Sequence, residues 1–316
     1  MRAEWRMKIV FGSTGLFLIF LSTHSLCAQT VDEVVITGTP LIGDAIDQTQ
    51  SVAEISRDDI ISSGGFGLGD SLRNVPGITS SGFSPGAARP IIRGFDAGRV
   101  RVTENGIGSH DVSDISADHG VPIDPLSAIE VEILRGPGTL RYGSQAIGGV
   151  VNAINNRIPF DVADGNAGEI FAGGASNALE RLSGATFDHR GGDFAFHADA
   201  FLRGADSYDT PLGKQKNSYA FGRGFALGGV YVQESGAAGV SYSNYYSHYG
   251  IASKPDGEKS HIDLDQSNYS CALRLNAPLP GIESINGRIG YSDYKHKEIV
   301  AGQGLLSTFK NKEWEG

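Results

Sequence analysis

The sequence predicts an α+β domain followed by an incomplete antiparallel transmembrane β-barrel. Three observations lead to this fold class. Residues 1–28 have the pattern of an export signal, residues 44–160 mix helical and strand segments around glycine-rich turns, and short alternating segments begin near Gly168. Alternation of apolar and polar residues over roughly ten positions is typical of membrane-barrel strands, because one face of each strand meets lipid.

Three features that follow one another along the chain indicate the export signal. Arg2, Arg6 and Lys8 precede the apolar segment Ile9–Leu21, and small residues lead to Ala28. A basic head, a short apolar core and a small-residue exit predict a secretory signal peptide over residues 1–28. Two alternatives are weaker: a buried helix, and lipidation of Cys27, which has His24 rather than Leu three positions before it.

Composition limits the remaining function classes. The chain has 316 residues and a formal net charge of -10, which argues against nucleic acid as a partner. Its two cysteines are Cys27, inside the predicted signal, and Cys271. The mature chain is therefore expected to contain no internal disulfide. No apolar run of about 18 residues follows the N-terminus, so we expect no membrane-spanning helix.

The connections between the alternating segments distinguish a barrel from a soluble sandwich. Short and long connections follow one another, at 190–193, 204–219, 233–237, 250–262, 276–281 and from Lys295 onward. Outer-membrane barrels place tight turns on one side of the membrane and longer loops on the other. A sandwich has no reason for such regularity, so the pattern favours a barrel.

The glycine-rich stretch Ile129–Asn152 carries a resemblance to a known family. A strand of alternating residues is broken by Arg135-Gly-Pro-Gly138, and a second strand follows Gly148-Gly149. This unit resembles the late signature of the plug domain in TonB-dependent outer-membrane receptors. The helix before Val75-Pro-Gly77, the strand Pro90–Phe95 and the strand ending at Asn105-Gly106 resemble the same domain, in the same order.

The resemblance implies four regions. They are a signal peptide at 1–28, a TonB box and linker at 29–43, a plug domain at 44–160 and the N-terminal part of a transmembrane β-barrel at 161–316. Plugged transporters need about 22 strands, whereas seven or eight fit after Gly168. The chain is therefore interpreted as part of a longer receptor, with its last residues inside a descending strand.

Two sets of residues receive roles from this resemblance. The short β-prone segment after residue 30 would otherwise be an ordinary first strand. As a TonB box it is expected to add to a sheet of the inner-membrane TonB complex through Glu33, Val34, Val35, Ile36 and Thr37. Charged groups in the glycine-rich unit need buried partners, and the family implies an ionic lock between plug and barrel formed by Glu130, Glu132, Arg135 and Arg141.

Histidines and carboxylates suggest a metal or substrate site at the barrel mouth. Imidazole and carboxylate groups are zinc ligands, although histidines without close ligand spacing are more often parts of solvated loops. Segments Asp118–Leu126, Tyr246–Ile251 and Gly290–His296 resemble the receptor subgroup that includes zinc-uptake receptors. The candidate residues are His110, Asp111, Asp118, His119, His248, His261 and His296.

The predicted function is TonB-dependent import of a scarce nutrient across the bacterial outer membrane. A metal ion or metal complex is expected as substrate, zinc first and haem next, with no resident cofactor. Expected partners are the TonB complex, outer-membrane lipid and the substrate. The motif Gly82–Gly86 matches that of serine hydrolases but lacks the strand and helix it requires, so no enzyme is expected. The alternatives are a non-functional receptor fragment, a haem or siderophore receptor, and a passive pore or adhesin.

Overall fold

The computed structural model describes residues 4–11, 51–82, 84–252, 257 and 259–316. Its first element is strand β1 (Glu4–Phe11), which joins a large sheet formed by the second half of the chain. Outside the described residues lie the predicted TonB-binding positions Glu33, Val34, Val35, Ile36 and Thr37. Their role stays a prediction.

Residues 51–164, called the α+β unit, form a small sheet covered by short helices. Its elements in chain order are β2 (Ser51–Ser56), α1 (Arg57–Ser63), α2 (Leu68–Ser71), β3 (Ile78–Ser80), β4 (Pro90–Ile92), β5 (Val100–Glu104), β6 (Ile107–Gly108), β7 (Glu130–Arg135) and β8 (Gly149–Ile154). Five strands pair in the order β2-β7-β8-β5-β6, and β3 pairs with β4. Strands β7 and β8 come from the glycine-rich stretch, which therefore forms the centre of this sheet.

Helix α1 shows why the sequence starts a helix where it does. The Ser56 hydroxyl accepts a hydrogen bond from the backbone N–H of Asp59, and Asp58 and Asp59 lie in the positively polarised first turn. The helix ends at Gly64, whose φ of 64° is left-handed and favours glycine. No helix in the described ranges is long and apolar enough to cross a membrane.

Residues 165–316 supply eight strands of a nine-stranded sheet, called the large sheet. Its elements, with one small hairpin, are β9 (Gly165–Ala175), β10 (Glu180–Gly191), β11 (Phe194–Ala205), β12 (Asp209–Thr210), β13 (Gly213–Lys214), β14 (Ala220–Gln233), β15 (Gly236–Gly250), β16 (Ser260–Leu279), β17 (Ile282–Val300) and β18 (Gly304–Glu315). The order is β1-β9-β10-β11-β14-β15-β16-β17-β18, and neighbours from β9 onward are antiparallel. Within the described residues the sheet stays open, with β1 and β18 at its edges, which confirms an incomplete barrel.

The connections agree with the predicted alternation except at one point. Two-residue turns at 192–193, 234–235 and 280–281 lie on one edge, and the longer connections from β11 to β14 and from β15 to β16 lie on the other. The long connection predicted from Lys295 onward is wrong, because β17 continues to Val300 and only residues 301–303 lead to β18. Polar side chains on both faces of this part of β17 made a strand resemble a loop.

The two faces of the large sheet differ in polarity. Along β11 the side chains of His197, Asp199 and Arg203 are buried toward the α+β unit, whereas Phe194 and Phe196 on the other face are more than half exposed. Successive strand side chains point to opposite faces, so the alternation in sequence becomes an apolar outer face and a polar inner face. The predicted apolar-out, polar-in pattern is confirmed.

Strand β1 lies within the predicted signal peptide. It pairs in parallel with β9, from Glu4 opposite Ala167 to Phe11 opposite Gly174. This pairing belongs to the uncleaved chain, and cleavage near Ala28 stays a prediction. Without β1, the edge of β9 that now pairs with β1 would be unpaired and open to strand addition.

Candidate metal centre and the interface around it

Two of the predicted histidines meet a carboxylate on the inner face of the large sheet. The inner cluster consists of His119, on the loop between β6 and β7, and His296 and Glu298 on β17. The Nε2 atom of His119 lies 3.0 Å from Oε1 of Glu298, and Nε2 of His296 lies 3.8 Å from the same oxygen. The side chains of His119 and His296 are only 2% and 1% exposed. The α+β unit and the large sheet therefore share this cluster.

Hydrogen bonds around the inner cluster fix which atoms can act as ligands. The Nδ1 atom of His119 is 3.0 Å from the carbonyl oxygen of Val112, which can only accept, so Nδ1 carries the proton. The other ring nitrogen, Nε2, faces Oε1 of Glu298, so a metal ion bound between them would take Nε2 and the carboxylate oxygen as ligands. Such a ring N–H bond to a backbone carbonyl is the usual way in which proteins orient a metal-binding histidine.

The remaining two ligand groups are held in a similar way. The Nδ1 atom of His296 is 2.7 Å from the Tyr294 hydroxyl, while its buried Nε2 atom has no hydrogen-bond partner among the described residues. The second carboxylate oxygen of Glu298 accepts a hydrogen bond from the Ser307 hydroxyl at 2.5 Å. Phe309 stacks on His296 with ring centroids 4.6 Å apart. Two imidazole nitrogens and one carboxylate thus converge, a donor set that suits zinc.

The other predicted histidine pair lies on the opposite face of the sheet. The outer cluster consists of His248 on β15 with His261 and Asp263 on β16. His248 and Asp263 are register partners, and Nδ1 of His248 lies 2.6 Å from Oδ1 of Asp263. Their neighbours Tyr249 and Ile262 are buried on the inner face. The histidines predicted to lie together at the barrel mouth therefore form two separate clusters in the structure.

The three remaining candidates lie on the same loop as His119, between β6 and β7. His110 lies apart from it, with its two ring nitrogens 3.1 Å from carboxylate oxygens of Glu313 and Glu315 on β18. Asp111 accepts a hydrogen bond from the backbone N–H of Ser113, and burial raises the pKa of its carboxyl. Asp118 is the nearest addition to the cluster, because its Oδ1 lies 3.9 Å from Nε2 of His119. Asp118 is thus placed to supply a fourth ligand after a small movement.

Ion pairs join the α+β unit to the large sheet at several points. The pairs are Arg57–Glu169, Arg101–Glu315, Asp124–Arg203, Arg157–Asp199 and Asp161–Arg274. The sequence alone does not predict these pairs, since their members lie far apart in the chain. A signal was present for Arg203, because an arginine on the inward side of an alternating strand requires a buried anionic partner.

The predicted lock residues lie on or beside β7. Glu132 is fully buried and accepts a hydrogen bond from Nδ2 of Asn152 at 3.3 Å. Arg135 donates to the carbonyl oxygen of Pro76 at 2.9 Å. Glu130 begins β7, and Arg141 lies in the turn that follows it. The locking role of Glu130, Glu132, Arg135 and Arg141 stays a prediction.

The chain is similar to a known family model and to a curated transporter. Residues 44–150 match the family described as TonB-dependent Receptor Plug Domain. The vitamin B12 transporter BtuB of Vibrio vulnificus is 26% identical over 290 residues, which covers 87% of this chain and 45% of BtuB. The chain thus spans about half the length of this curated relative.

Solved structures show a similar fold. A double mutant of the hemophore receptor HasR of Serratia marcescens, in complex with hemophore HasA and heme, has a TM-score of 0.66 at 17% identity, covering 85% of this chain and 40% of HasR. The ferric-catecholate import receptor Fiu of E. coli K12 has a TM-score of 0.62 at 18% identity, covering 81% and 40%. The copper transporter OprC has a TM-score of 0.62 at 14% identity, covering 78% and 38%.

Proposed function

Since the chain belongs to the TonB-dependent outer-membrane receptors, we propose that it binds a divalent metal ion at the inner cluster and serves its import. Zinc is the favoured ion. The single observation that carries this proposal is the convergence of His119, His296 and Glu298, with the proton of His119 held on Nδ1. Histidine and carboxylate ligands suit zinc, whereas sites selective for reduced copper are richer in sulfur.

Burial favours a bare ion over a large metal complex. The related proteins carry names that refer to vitamin B12, ferric catecholate, heme and copper, so the family alone leaves the substrate open. In this chain the two histidines of the inner cluster are almost fully buried between the two units. An ion can reach such ligands through a small opening, whereas a haem or a siderophore would have to displace the surrounding side chains. Haem and siderophore complexes are therefore the second choice.

Import would require the energy of the inner membrane. In the proposed mechanism, the TonB complex binds Glu33–Thr37 by strand addition and pulls on the α+β unit. His119 belongs to that unit, whereas His296 and Glu298 belong to the large sheet. Displacement of the unit would separate the ligands and release the ion, because a site with one remaining histidine and one carboxylate binds zinc weakly. The apolar outer face of the sheet would meet outer-membrane lipid.

The metal-binding part of the proposal is tested on the full chain in detergent. The parent carries His248→Ala, which disables the outer cluster. We expect zinc affinity, measured by equilibrium dialysis, to fall in His296→Ala and Glu298→Gln by at least the roughly 10- to 100-fold that loss of a supporting group around a metal causes. His189→Ala is the matched control, since this ring bonds Asn166 near the opposite edge of the sheet. Equal affinity in all four proteins would refute an inner zinc site.

The import part is tested in cells that produce the protein. Deletion of residues 31–38 should abolish zinc uptake above background, because the segment for strand addition is lost. Val35→Ile, which keeps a β-branched side chain, should retain uptake, provided that both variants reach the outer membrane in equal amounts. Uptake that persists after the deletion would indicate a passive pore. A lack of uptake by the intact chain would favour the non-functional fragment.

A further inference from the structure

We infer that the outer cluster is a second metal site, separate from the import path, which binds a zinc-like divalent ion from the water layer beside the membrane. His248, His261 and Asp263 each offer a ligand atom, and these atoms lie within 4.8 Å of one another. The inference does not rest on the function proposed for the inner cluster, since the two clusters share no residue and face opposite sides of the sheet.

The side of the sheet follows from strand alternation. On β15 the hydroxyl of Tyr249 donates to the carbonyl oxygen of Asp118 at 2.9 Å, so Tyr249 points toward the α+β unit. On β16 the Nε2 atom of Gln266 donates to the carbonyl oxygen of Ser109 at 2.7 Å and points the same way. His248 has the opposite parity to Tyr249, and Asp263 has the opposite parity to Gln266, so both face outward.

The height of the outer cluster follows from the aromatic residues on the same face. Rings of Tyr242, Tyr269, Tyr291 and Trp314 form a row across β15 to β18, with successive centroids 5.0, 6.1 and 4.7 Å apart. Such rows mark the edge of the apolar band of a membrane barrel. His248 lies six residues from Tyr242 along β15, and Asp263 lies six residues from Tyr269 along β16. Six residues correspond to about 20 Å of strand. On β16 the outward residues between Tyr269 and the outer cluster are polar, Ser267 and Asp265, whereas those on the other side of Tyr269 are Cys271 and Leu273. The outer cluster is therefore on the water side of the row, outside the hydrocarbon layer.

The local geometry supports the chemistry of a metal site. The rings of His248 and His261 have centroids 5.0 Å apart, and Tyr219 packs on His248 at 5.3 Å, which limits the orientation of that ring. The side chains of His248 and Asp263 are 33% and 30% exposed, so an ion and a water ligand can enter. Two imidazoles and one carboxylate with an open fourth position favour zinc-like ions over calcium or magnesium, which prefer oxygen ligands.

A neighbouring lysine offers a variant that should strengthen binding. Lys297 on β17 is the register partner of Asp263 and has the outward parity. A cation opposite the carboxylate competes with a metal ion for its negative charge. Lys297→Met should therefore tighten metal binding at the outer cluster severalfold, while leaving the inner cluster unchanged. An increase in affinity cannot be produced by misfolding, which keeps the inference testable if a ligand variant folds poorly.

The decisive experiment counts cobalt ions bound to the full chain in detergent by dialysis and visible absorption. We expect two ions per chain, one after either His261→Ala or Glu298→Gln, and none after both changes. Loss of one ion in His261→Ala supports the outer site whatever the inner variants do. An unchanged ion count and affinity in His261→Ala, together with no effect of Lys297→Met, would overturn the inference and leave the inner cluster unaffected.

Discussion

Replacing Arg203 with methionine should loosen the α+β unit from the large sheet at a cost of about 3–5 kcal/mol, the range for breaking a buried ion pair. Nη1 of Arg203 lies 3.0 Å from both carboxylate oxygens of Asp124, and Nη2 donates to the carbonyl oxygen of Gly65 at 2.5 Å. The two charged side chains are 3% and 1% exposed. Methionine keeps much of the volume but leaves the Asp124 carboxylate buried without its cation.

The pH dependence of this variant provides a second measurement. Burial raises the pKa of the Asp124 carboxyl above its ordinary value even with Arg203 present. Without the guanidinium the charged form loses its main support, so the pKa should rise further. A carboxyl whose pKa is higher in the folded than in the unfolded state destabilises the fold as pH rises through this range. The loss of unfolding free energy caused by Arg203→Met should therefore be smaller at acidic pH and larger near neutral pH.

Denaturant titration of the chain in detergent would measure this effect, with proteolysis of the α+β unit as a local readout. Arg274→Met is the matched control, because its pair with Asp161 is 37% and 45% exposed and should contribute less than about 1 kcal/mol. Adding Asp124→Asn to Arg203→Met should restore part of the loss, since it removes the unpaired charge. Equal stability of the Arg203 and Arg274 variants would show that the buried pair does not hold the two units together.

Gly228→Val should prevent the normal contact between the two units. Gly228 lies on the inner face of β14, where an added Cβ would be 1.6 Å from the carbonyl oxygen of Arg157. That oxygen belongs to the backbone leaving the α+β unit, so rotation of a side chain cannot relieve the overlap. Overpacking of well-packed sites usually costs about 1–3 kcal/mol, and we expect the upper end or more here because main-chain atoms must move.

The measurement compares Gly228→Val with Gly287→Val in the same unfolding and proteolysis assays. Gly287 is a suitable control, because no atom lies within 4 Å of a Cβ built at that position on β17. The Gly228 variant should expose the segment around Arg157 to protease at a concentration that leaves the control intact. Similar protection in both variants would mean that the α+β unit does not press against β14 in solution.

Local sequence signals predicted much of the fold. The strands on either side of Arg135-Gly-Pro-Gly138 and the alternation along β11 both depend on neighbouring residues, and the structure contains both. The error at Lys295 has a local cause as well. Beyond the apolar band both faces of β17 meet polar surroundings, so the alternation that identifies a membrane strand disappears while the strand continues.

The candidate site was predicted only in part. His119 and His296 were identified by residue type and by resemblance to zinc-uptake receptors, whereas Glu298, the carboxylate between them, was not. Glu298 lies 179 residues from His119, and no periodicity in the sequence relates the two. The contact exists because a loop of the α+β unit reaches the inner face of β17.

The sequence by itself determined the α+β unit, the alternating strands and the histidines available for a metal. Tertiary structure alone decided their grouping. His248 and His296 look equivalent in a linear reading, yet strand parity places them on opposite faces of one sheet. The physical reason is that periodicity fixes which residues share a face, while the position of the α+β unit fixes which face is the inner one.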